Sequence, residues 1–405
     1  MKNIWILNHY AKPSGGRHYK FAENLIKRGY NVKIFCASTV HNSNQNMITN
    51  SRKYLYEIHN DVPFVIIRAR SYKGNGAERI KNMIDYAAGL MSVSKKFDTE
   101  KPDVIYASSV HPLTWLAGYK LSKRYGAKFI AETRDLWPET FVAMGKMSKN
   151  SIPAKILYKI EKFIYQKADK LIFTFPGGKD YVESIGLDSS EVRYINNGVD
   201  LEEFNQNKTR YVLEDPDLDD DSTFKILYTG SMGIANALNN IVYAAKVLND
   251  KGYKDIKFLL FGDGYKRKEL EDYVKVNDIP NVKFKGKVDK KYIPGILSKS
   301  DLNIFTGKHI YLYKYGLSLN KMFDYFASGR PTVSNVECGY DMLEKYKCGI
   351  TVKGGSAEAL AEGILKFYNM PKEEYDTYCN NALKAACDFD FKILTDKLEE
   401  VILED

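Results

Sequence analysis

Short runs of β-branched and aromatic residues, each followed by a loop and then an amphipathic stretch, recur along this chain and start again past its midpoint. Asn3–Leu7, Val32–Cys36, Phe64–Arg68, Val104–Ala107, Lys128–Ala131 and Leu171–Phe175 form the first series. Phe224–Thr229, Ile256–Phe261, Val282–Lys285, Leu302–Phe305 and Thr332–Val333 form the second. Strand and helix alternating in this way specify a parallel sheet covered by helices. The restart predicts a second Rossmann-like unit, and a chain of 405 residues is long enough for two such cores, each of about 150–200 residues. Between the series, Asn205 to Thr223 has little periodicity and holds the acidic run Glu214-Asp215-Pro216-Asp217-Leu218-Asp219-Asp220-Asp221. That stretch predicts an exposed linker and domains of 1–205 and 206–388. The Asp-x-Asp spacing inside it reads as a solvated turn, and no metal site is expected.

Composition narrows the class. No apolar run approaches the roughly 20 residues needed to cross a bilayer. The amino-terminal run Ile4-Trp5-Ile6-Leu7 is too brief for the core of a leader peptide and predicts a buried first strand, so a cytoplasmic location is expected. Five cysteines, an odd number with no C-x-x-C spacing, indicate neither a disulfide framework nor a zinc site. Residues 1–200 carry 31 Lys and Arg against 18 Asp and Glu, a net of +13, whereas the whole chain is +9, which leaves residues 201–405 near −4. A basic half predicts an anionic partner, and a lipid surface fits better than nucleic acid because no nucleic-acid module or Arg-rich tail is present. A solvated basic surface without a partner has the same charge. In Arg79–Phe97 the residues Ile80, Met83, Ile84, Ala87, Leu90 and Met91 form one predicted core stripe. In Ser151–Lys170 the apolar Ile156, Leu157, Ile160, Phe163 and Ile164 lie beside a second stripe of Lys155, Lys159 and Lys162.

Candidate chemistry collects at predicted strand ends, where ligands bind in open α/β sheets. Ser318 is placed to cap a helix whose apolar face is Met322, Phe323 and Phe326, with Asn320 and Lys321 in its first turn and Asp324 one turn on. That arrangement suits a phosphate at Lys321 and ribose hydroxyls at Asp324, although an ordinary capped helix with a surface Lys-Asp pair reads the same way. Gly230, Ser231, Gly233 and Asn236 follow a buried strand and allow backbone to approach a phosphate closely. Gly15, Gly16, Arg17 and His18 open the first helix. His111, in Ser108-Ser109-Val110-His111-Pro112-Leu113, is the best placed of the six histidines to bond sugar hydroxyls or to move a proton. Glu132, Arg134 and Asp135 cluster beside Trp137, as sugar sites often require; a buried Arg134–Asp135 or Glu132–Arg134 pair that fixes the loop is the alternative. No Gly-x-Gly-x-x-Gly follows the first strand with an acidic residue about 20 positions on, which argues against a nicotinamide dehydrogenase.

Taken together and in order, Gly15-Gly16-Arg17-His18, Glu132-x-Arg-Asp-Leu-Trp-Pro-Glu139, Asn196-Asn197-Gly198-Val199-Asp200, the Gly230–Leu238 segment, Phe261-Gly262-Asp263-Gly264 and Asn320-Lys321-x-Phe-Asp324-Tyr-x-Ala-Ser-Gly-Arg-Pro331 resemble glycosyltransferase family 4, particularly its capsule and O-antigen polysaccharide branch. The resemblance implies a GT-B fold of two Rossmann-like domains facing across a cleft, with a last helix over 389–405 crossing back to the first domain. It implies a nucleotide-sugar donor, UDP-linked by expectation, bound through Gly230, Ser231, Gly233, Asn236, Gly262, Ser318, Asn320, Lys321 and Asp324. His111, Lys321 and Asp324 would be catalytic, and Gly15, Gly16, Arg17, His18, Glu132, Arg134 and Asp135 would face the acceptor. It further implies retention of anomeric configuration without a metal or other cofactor. The expected acceptor is a polyprenyl-diphosphate-linked saccharide at the inner face of the cytoplasmic membrane. The chain departs from the family where a Glu-x7-Glu pair reads Gly316 and Asp324, and where a diphosphate-clamping Arg and Lys near Gly230 read Met232, Ile234 and Asn236. A nucleotide-sugar 2-epimerase of the same architecture, or a non-catalytic partner subunit that binds nucleotide sugar or lipid, remains a rival on those grounds.

Overall fold

The structure is a computed structural model and describes residues 2–40, 43–74, 76–109 and 111–404, so Val110 of the His111 motif lies outside the described residues. The chain divides into two compact units, 1–196 with 391–405, and 197–390.

The amino-terminal unit is built on eight strands: β1 (Asn3–Leu7), β2 (Asn31–Ala37), β3 (Tyr54–His59), β4 (Val62–Ile67), β5 (Val104–Ser109), β6 (Lys128–Thr133), β7 (Lys170–Phe173) and β8 (Val192–Tyr194). Their order across the sheet is β3-β4-β2-β1-β5-β6-β7-β8, parallel except for the β3–β4 hairpin. That hairpin turns at Asn60 and Asp61, both at positive φ (46° and 66°), the conformation a two-residue hairpin requires. Ile4, Trp5, Ile6 and Leu7 are all buried, as a parallel strand covered on both faces demands. The order reverses between β1 and β5, the position at which ligands collect in open α/β sheets.

The last helix, Phe391–Leu403, belongs to this unit. Leu394, Leu398, Val401 and Ile402 are buried, and Phe391 meets Phe21 of the helix Arg17–Lys27 edge-on at 5.8 Å. Around that apolar seam Arg28 pairs with Asp396 at 2.6 Å and Glu399 at 2.5 Å, while Tyr30 donates to Glu399 at 2.8 Å.

The carboxyl-terminal unit has six parallel strands, β9 (Phe224–Thr229), β10 (Ile256–Phe261), β11 (Val282–Gly286), β12 (Leu302–Phe305), β13 (Thr332–Ser334) and β14 (Gly349–Thr351), in the order β11-β10-β9-β12-β13-β14. Here the reversal lies between β9 and β12.

Three expectations need correction. The segment from residue 205 is not the start of a linker: Leu201–Arg210 is a helix, capped by Asp200 accepting from the Glu203 N–H at 2.9 Å, and Phe204 is buried. It packs so closely on the helix Ile293–Ser298 that a Cβ at Gly295 would lie 2.8 Å from the Tyr211 carbonyl. The two units accordingly part after Asn196 and not near 205. The acidic run beyond it is held by lysines, Asp215 and Asp217 by Lys285 and Asp219 by Lys299. On the helix Ala77–Val93, Met83 and Leu90 are buried but Ile80 and Ile84 are exposed, and on Ile152–Lys167 so are Ile156 and Phe163, because each helix buries a narrower face than its apolar stripe. No helix among the described residues is long and apolar enough to cross a membrane.

Leu398, fully buried on the last helix, tests that packing: Leu398→Ala is expected to lower unfolding free energy by about 2–5 kcal/mol in chemical denaturation.

Candidate functional site

In the carboxyl-terminal unit the ends of β9, β10 and β11 are laced together. Gly230 N–H donates to Phe261 O at 3.0 Å, Met232 N–H to Asp263 O at 2.9 Å and Gly262 N–H to Gly286 O at 2.7 Å. Gly262, at φ +139°, makes this possible, because a Cβ there would stand 1.8 Å from the Gly230 carbonyl oxygen. Beyond these loops opens a cavity of about 910 Å³, lined on one side by Thr229, Gly230, Ser231, Gly262 and Asp263 and on another by Leu319, Asn320, Lys321 and Asp324.

The helix Asn320–Ala327 forms the second wall. Met322, Phe323 and Phe326 hold it to the core, and the Tyr325 hydroxyl, which accepts from Thr229 N–H at 2.9 Å and donates to Ile304 O at 3.2 Å, fixes its height against β9 and β12. The expected Ser318 cap is not made. Leu319 is the N-cap residue, with no side-chain bond, and Ser318 Oγ instead accepts from Asn197 Nδ2 at 2.9 Å. The amino end of this helix therefore borders the cavity with no side chain closing it, which leaves the positive end of its dipole available to an anion.

Lys321 reaches back across that end. Its Nζ donates to the Tyr228 hydroxyl at 2.8 Å and to Asn236 Oδ1 at 3.1 Å and lies 4.2 Å above the Tyr228 ring. Every one of these partners is neutral, and among the described residues Lys321 has no carboxylate within ion-pairing distance. Burial without a counter-charge pushes its ammonium down to about 7. Asp324, one turn further along the same wall, is pushed up by burial, against the opposing pull of Lys290. Phosphate oxygens would satisfy the first group and hydroxyl donors the second.

Of the residues expected at the donor, the cavity brings together Gly230, Ser231, Gly262, Asn320, Lys321 and Asp324. Asn236 stands behind Lys321 and ties it to Ser231, whose carbonyl accepts from Asn236 Nδ2 at 2.9 Å. Gly233 and Ser318 do not line it. Lys287, Asp289, Lys290 and Ile293 do, and sequence reasoning missed them, although they follow the β11 strand end as the other candidates follow theirs.

The amino-terminal unit uses its charges differently. Glu132, fully buried at the end of β6, accepts from Arg17 Nε and His18 Nε2, both at 2.8 Å, and from the Tyr106 hydroxyl. Arg17 also donates to the carbonyls of Ile195 (2.8 Å) and Asn196, and His18 Nδ1 accepts from Asn8 Nδ2 at 2.7 Å. Asn8 Oδ1 accepts from Tyr10 N–H at 3.0 Å, which fixes the amide orientation and so leaves the proton of a neutral His18 on Nε2, facing Glu132. Burial alone would raise the Glu132 carboxyl, but Arg17 and His18 hold it well below the usual carboxylate range. Arg17, His18 and Glu132 are thus a closed buried scaffold and not an open acceptor face, and the buried partner of Glu132 is Arg17, not the Arg134 of the alternative loop-fixing pair. Asp135 is exposed, Arg134 is partly so, and Gly15 and Gly16, at φ +124° and +102°, have open space on their Cβ side.

His111 lies at the β1–β5 reversal, as the N-cap residue of the helix Pro112–Tyr125. Its Nε2 is 2.7 Å from Nδ1 of His9, a residue sequence reasoning passed over although it follows β1 directly. Burial, then His9 and Arg79, hold His111 well below the ordinary histidine value, so the ring is neutral near pH 7. The His9 ring packs 4.6 Å from Tyr86, and Nδ1 of His111 is buried with no hydrogen-bond partner among the described residues.

The Glu132 scaffold has a measurable signature. A carboxyl depressed on folding stabilises the fold above its unfolded pKa and loses that contribution as pH falls through the folded value. Glu132→Gln is expected to cost about 3–5 kcal/mol at neutral pH by stranding Arg17. In denaturation across a pH series it should also show a shallower loss of stability than the parent below the ordinary carboxylate value of 4.5.

Residues 18–203 match the family described as Glycosyltransferase Family 4, and residues 223–370 match Glycosyl transferases group 1. No curated protein matches the sequence. Among solved structures the chain is similar to sucrose-phosphate synthase from Thermosynechococcus elongatus, with a TM-score of 0.73 and 18% identity over 99% of this chain and 98% of that one. It is similar also to HepE of Anabaena in complex with UDP and glucose (0.66, 14%, 99% of each chain). WaaG, a glycosyltransferase involved in lipopolysaccharide biosynthesis, is a third (0.68, 14%, 99% and 100%). At these identities the structures establish the fold, and the two family matches support transferase activity. The chain is a glycosyltransferase of the GT-B fold, similar to family 4 over residues 18–203 and to group 1 over residues 223–370.

Proposed function

We propose that the enzyme transfers a sugar, with retention, from a UDP-linked donor to a polyprenyl-diphosphate-linked saccharide at an anionic membrane surface, in bacterial capsule or O-antigen synthesis. The observation that carries the donor side is Lys321: an enclosed ammonium with only neutral partners, beside an uncapped helix end, at the wall of a cavity. A diphosphate supplies the missing negative charge. Support for UDP comes from HepE, whose complexes hold UDP with glucose and UDP-glucose. The role of WaaG in lipopolysaccharide biosynthesis favours a surface-polysaccharide acceptor.

In the proposed reaction the bond from the anomeric carbon to the diphosphate oxygen breaks, and a bond to the acceptor hydroxyl oxygen forms on the same face. The hydroxyl proton passes to the departing phosphate oxygen. Lys321 and the helix amides neutralise the charge that develops there, in place of a metal ion, and no enzymic nucleophile takes part. Asp324 accepts from the ribose hydroxyls. Neutral His111, steadied by His9, orients the transferred group in this reading, and the amino-terminal unit serves the acceptor.

Turnover of a UDP-sugar panel with a polyprenyl-diphosphate saccharide is expected to give free UDP and an elongated acceptor; an isomerised donor with no elongation would replace this reading by the epimerase. Lys321→Ala is expected to weaken UDP binding about 10- to 100-fold and to lower kcat about a hundredfold or more.

The pH dependence follows from Lys321. With the site empty it titrates at about 7, and a bound diphosphate raises it, so binding above that pH must draw a proton from solution. UDP affinity is therefore expected to fall as pH rises from about 7 to about 9, and calorimetry in buffers of differing ionisation enthalpy should read uptake of up to about one proton, lost in Lys321→Met.

A further inference from the structure

The helix Ile152–Lys167 turns Ala154, Ile164 and Tyr165 into the amino-terminal unit and leaves Ile152, Ile156 and Phe163 in solvent, at 75%, 53% and 37% exposure. Residues advance about 100° apiece round a helix, so these three fall within about 40° of one another and form one outward ridge. Lys155, Lys159 and Lys162 run along one flank of that ridge and Lys167 along the other, all exposed. The single acid of the helix, Glu161, projects the opposite way, is 1% exposed, and accepts from the Tyr181 hydroxyl at 2.9 Å. Burial pushes its carboxyl up to about 8, which removes most of its charge near neutral pH.

The outward half of this helix thus carries cations and no anion. Elsewhere the chain pairs its helical cations with acids one turn away, as in Lys246–Asp250, Lys266–Glu269 and Arg267–Glu271. None of the four lysines here forms an ion pair among the described residues. The patch continues onto the helix Pro112–Tyr125, which contains no acidic residue: Tyr119 meets Phe163 edge-on at 5.2 Å, and Lys123 Nζ sits 5.6 Å over the Tyr119 ring.

Two features select the partner. A polyanion such as RNA would engage the lysines but give nothing for the isoleucine ridge, whereas the boundary between headgroups and acyl chains takes both, the ridge inserted and the lysine stems lying beside it with their ammoniums at the phosphates. We infer that the outward face of Ile152–Lys167 docks on an anionic lipid surface, with Ile152, Ile156 and Phe163 inserted and Lys155, Lys159 and Lys162 at the headgroups. This deepens the proposed function by naming the surface that brings the enzyme to a lipid-borne acceptor. It rests on that reading for its purpose, not for its physics.

The test is flotation of the full chain with vesicles of phosphatidylcholine alone and of phosphatidylcholine mixed with phosphatidylglycerol. Binding is expected to the mixed vesicles only and to weaken with salt. Lys155→Glu/Lys159→Glu/Lys162→Glu, and separately Ile152→Ser/Ile156→Ser, should each lower partitioning at least about tenfold. All these side chains are exposed, so melting temperature and protection by UDP should stay at parental values. Equal binding to both vesicle types, binding to neither, or undiminished binding by the two variants overturns the assignment, as does RNA binding that survives the serine changes without any vesicle binding. Transfer onto a water-soluble acceptor is read in parallel: a protein that floats as expected but transfers no sugar supports the surface and overturns the proposed function.

Discussion

A parallel strand can reach its neighbour only by crossing over a face of the sheet, so both faces become covered and the strand ends remain the one place where the interior opens. Both units of this enzyme are organised by that constraint. Where the direction of winding reverses, between β1 and β5 in one unit and between β9 and β12 in the other, the chain places its unusual polar groups at the loops that follow the strands. The His9–His111 pair sits at the first reversal. In the second unit, the glycine loops after β9 and β10 face the end of Asn320–Ala327.

The two units resolve the same electrostatic problem in opposite ways. Arg17 and Glu132 are both enclosed and cancel one another, with Nη1 and Nη2 of the guanidinium each donating to a backbone carbonyl; the product is a closed, neutralised scaffold. Lys321 is enclosed against a phenol, an amide and an aromatic face, none of which carries a charge. A cation held in that state costs stability until an anion arrives, and its proton affinity is then tied to occupancy. This is how ligand charge becomes a pH-dependent affinity in the proposed reading.

Surface charge follows a third logic. The excess of lysine in the first half of the chain is not spread evenly: on Ile152–Lys167 the fold turns the lone acid inward and the lysines outward, alongside apolar side chains left in solvent. Net charge reports that a basic half exists; only the rotation of a helix about its own axis shows whether that charge lies beside a greasy ridge or in a mixed, neutralised field.

The sequence by itself determined what depends on local periodicity. All five expected strands after residue 223 begin and end within a residue of their positions in the sheet, because a buried parallel strand must be a nearly continuous apolar run. Gly230 was legible from its place at a strand end and Gly262 from the family resemblance, and the structure shows why glycine stands at the second: a Cβ there would meet the Gly230 carbonyl. Tertiary structure decided whatever depends on partners distant in the chain. It gave Glu132 to Arg17, 115 positions away, and not to Arg134; it sent Ser318 to Asn197 and left a helix end uncapped; and it drew residues 205–210 of a supposed linker into the helix Leu201–Arg210, packed on Ile293–Ser298. Side-chain chemistry specifies what each group can bond, but burial and packing choose among the partners that chemistry allows, and those forces act only once the chain has closed on itself.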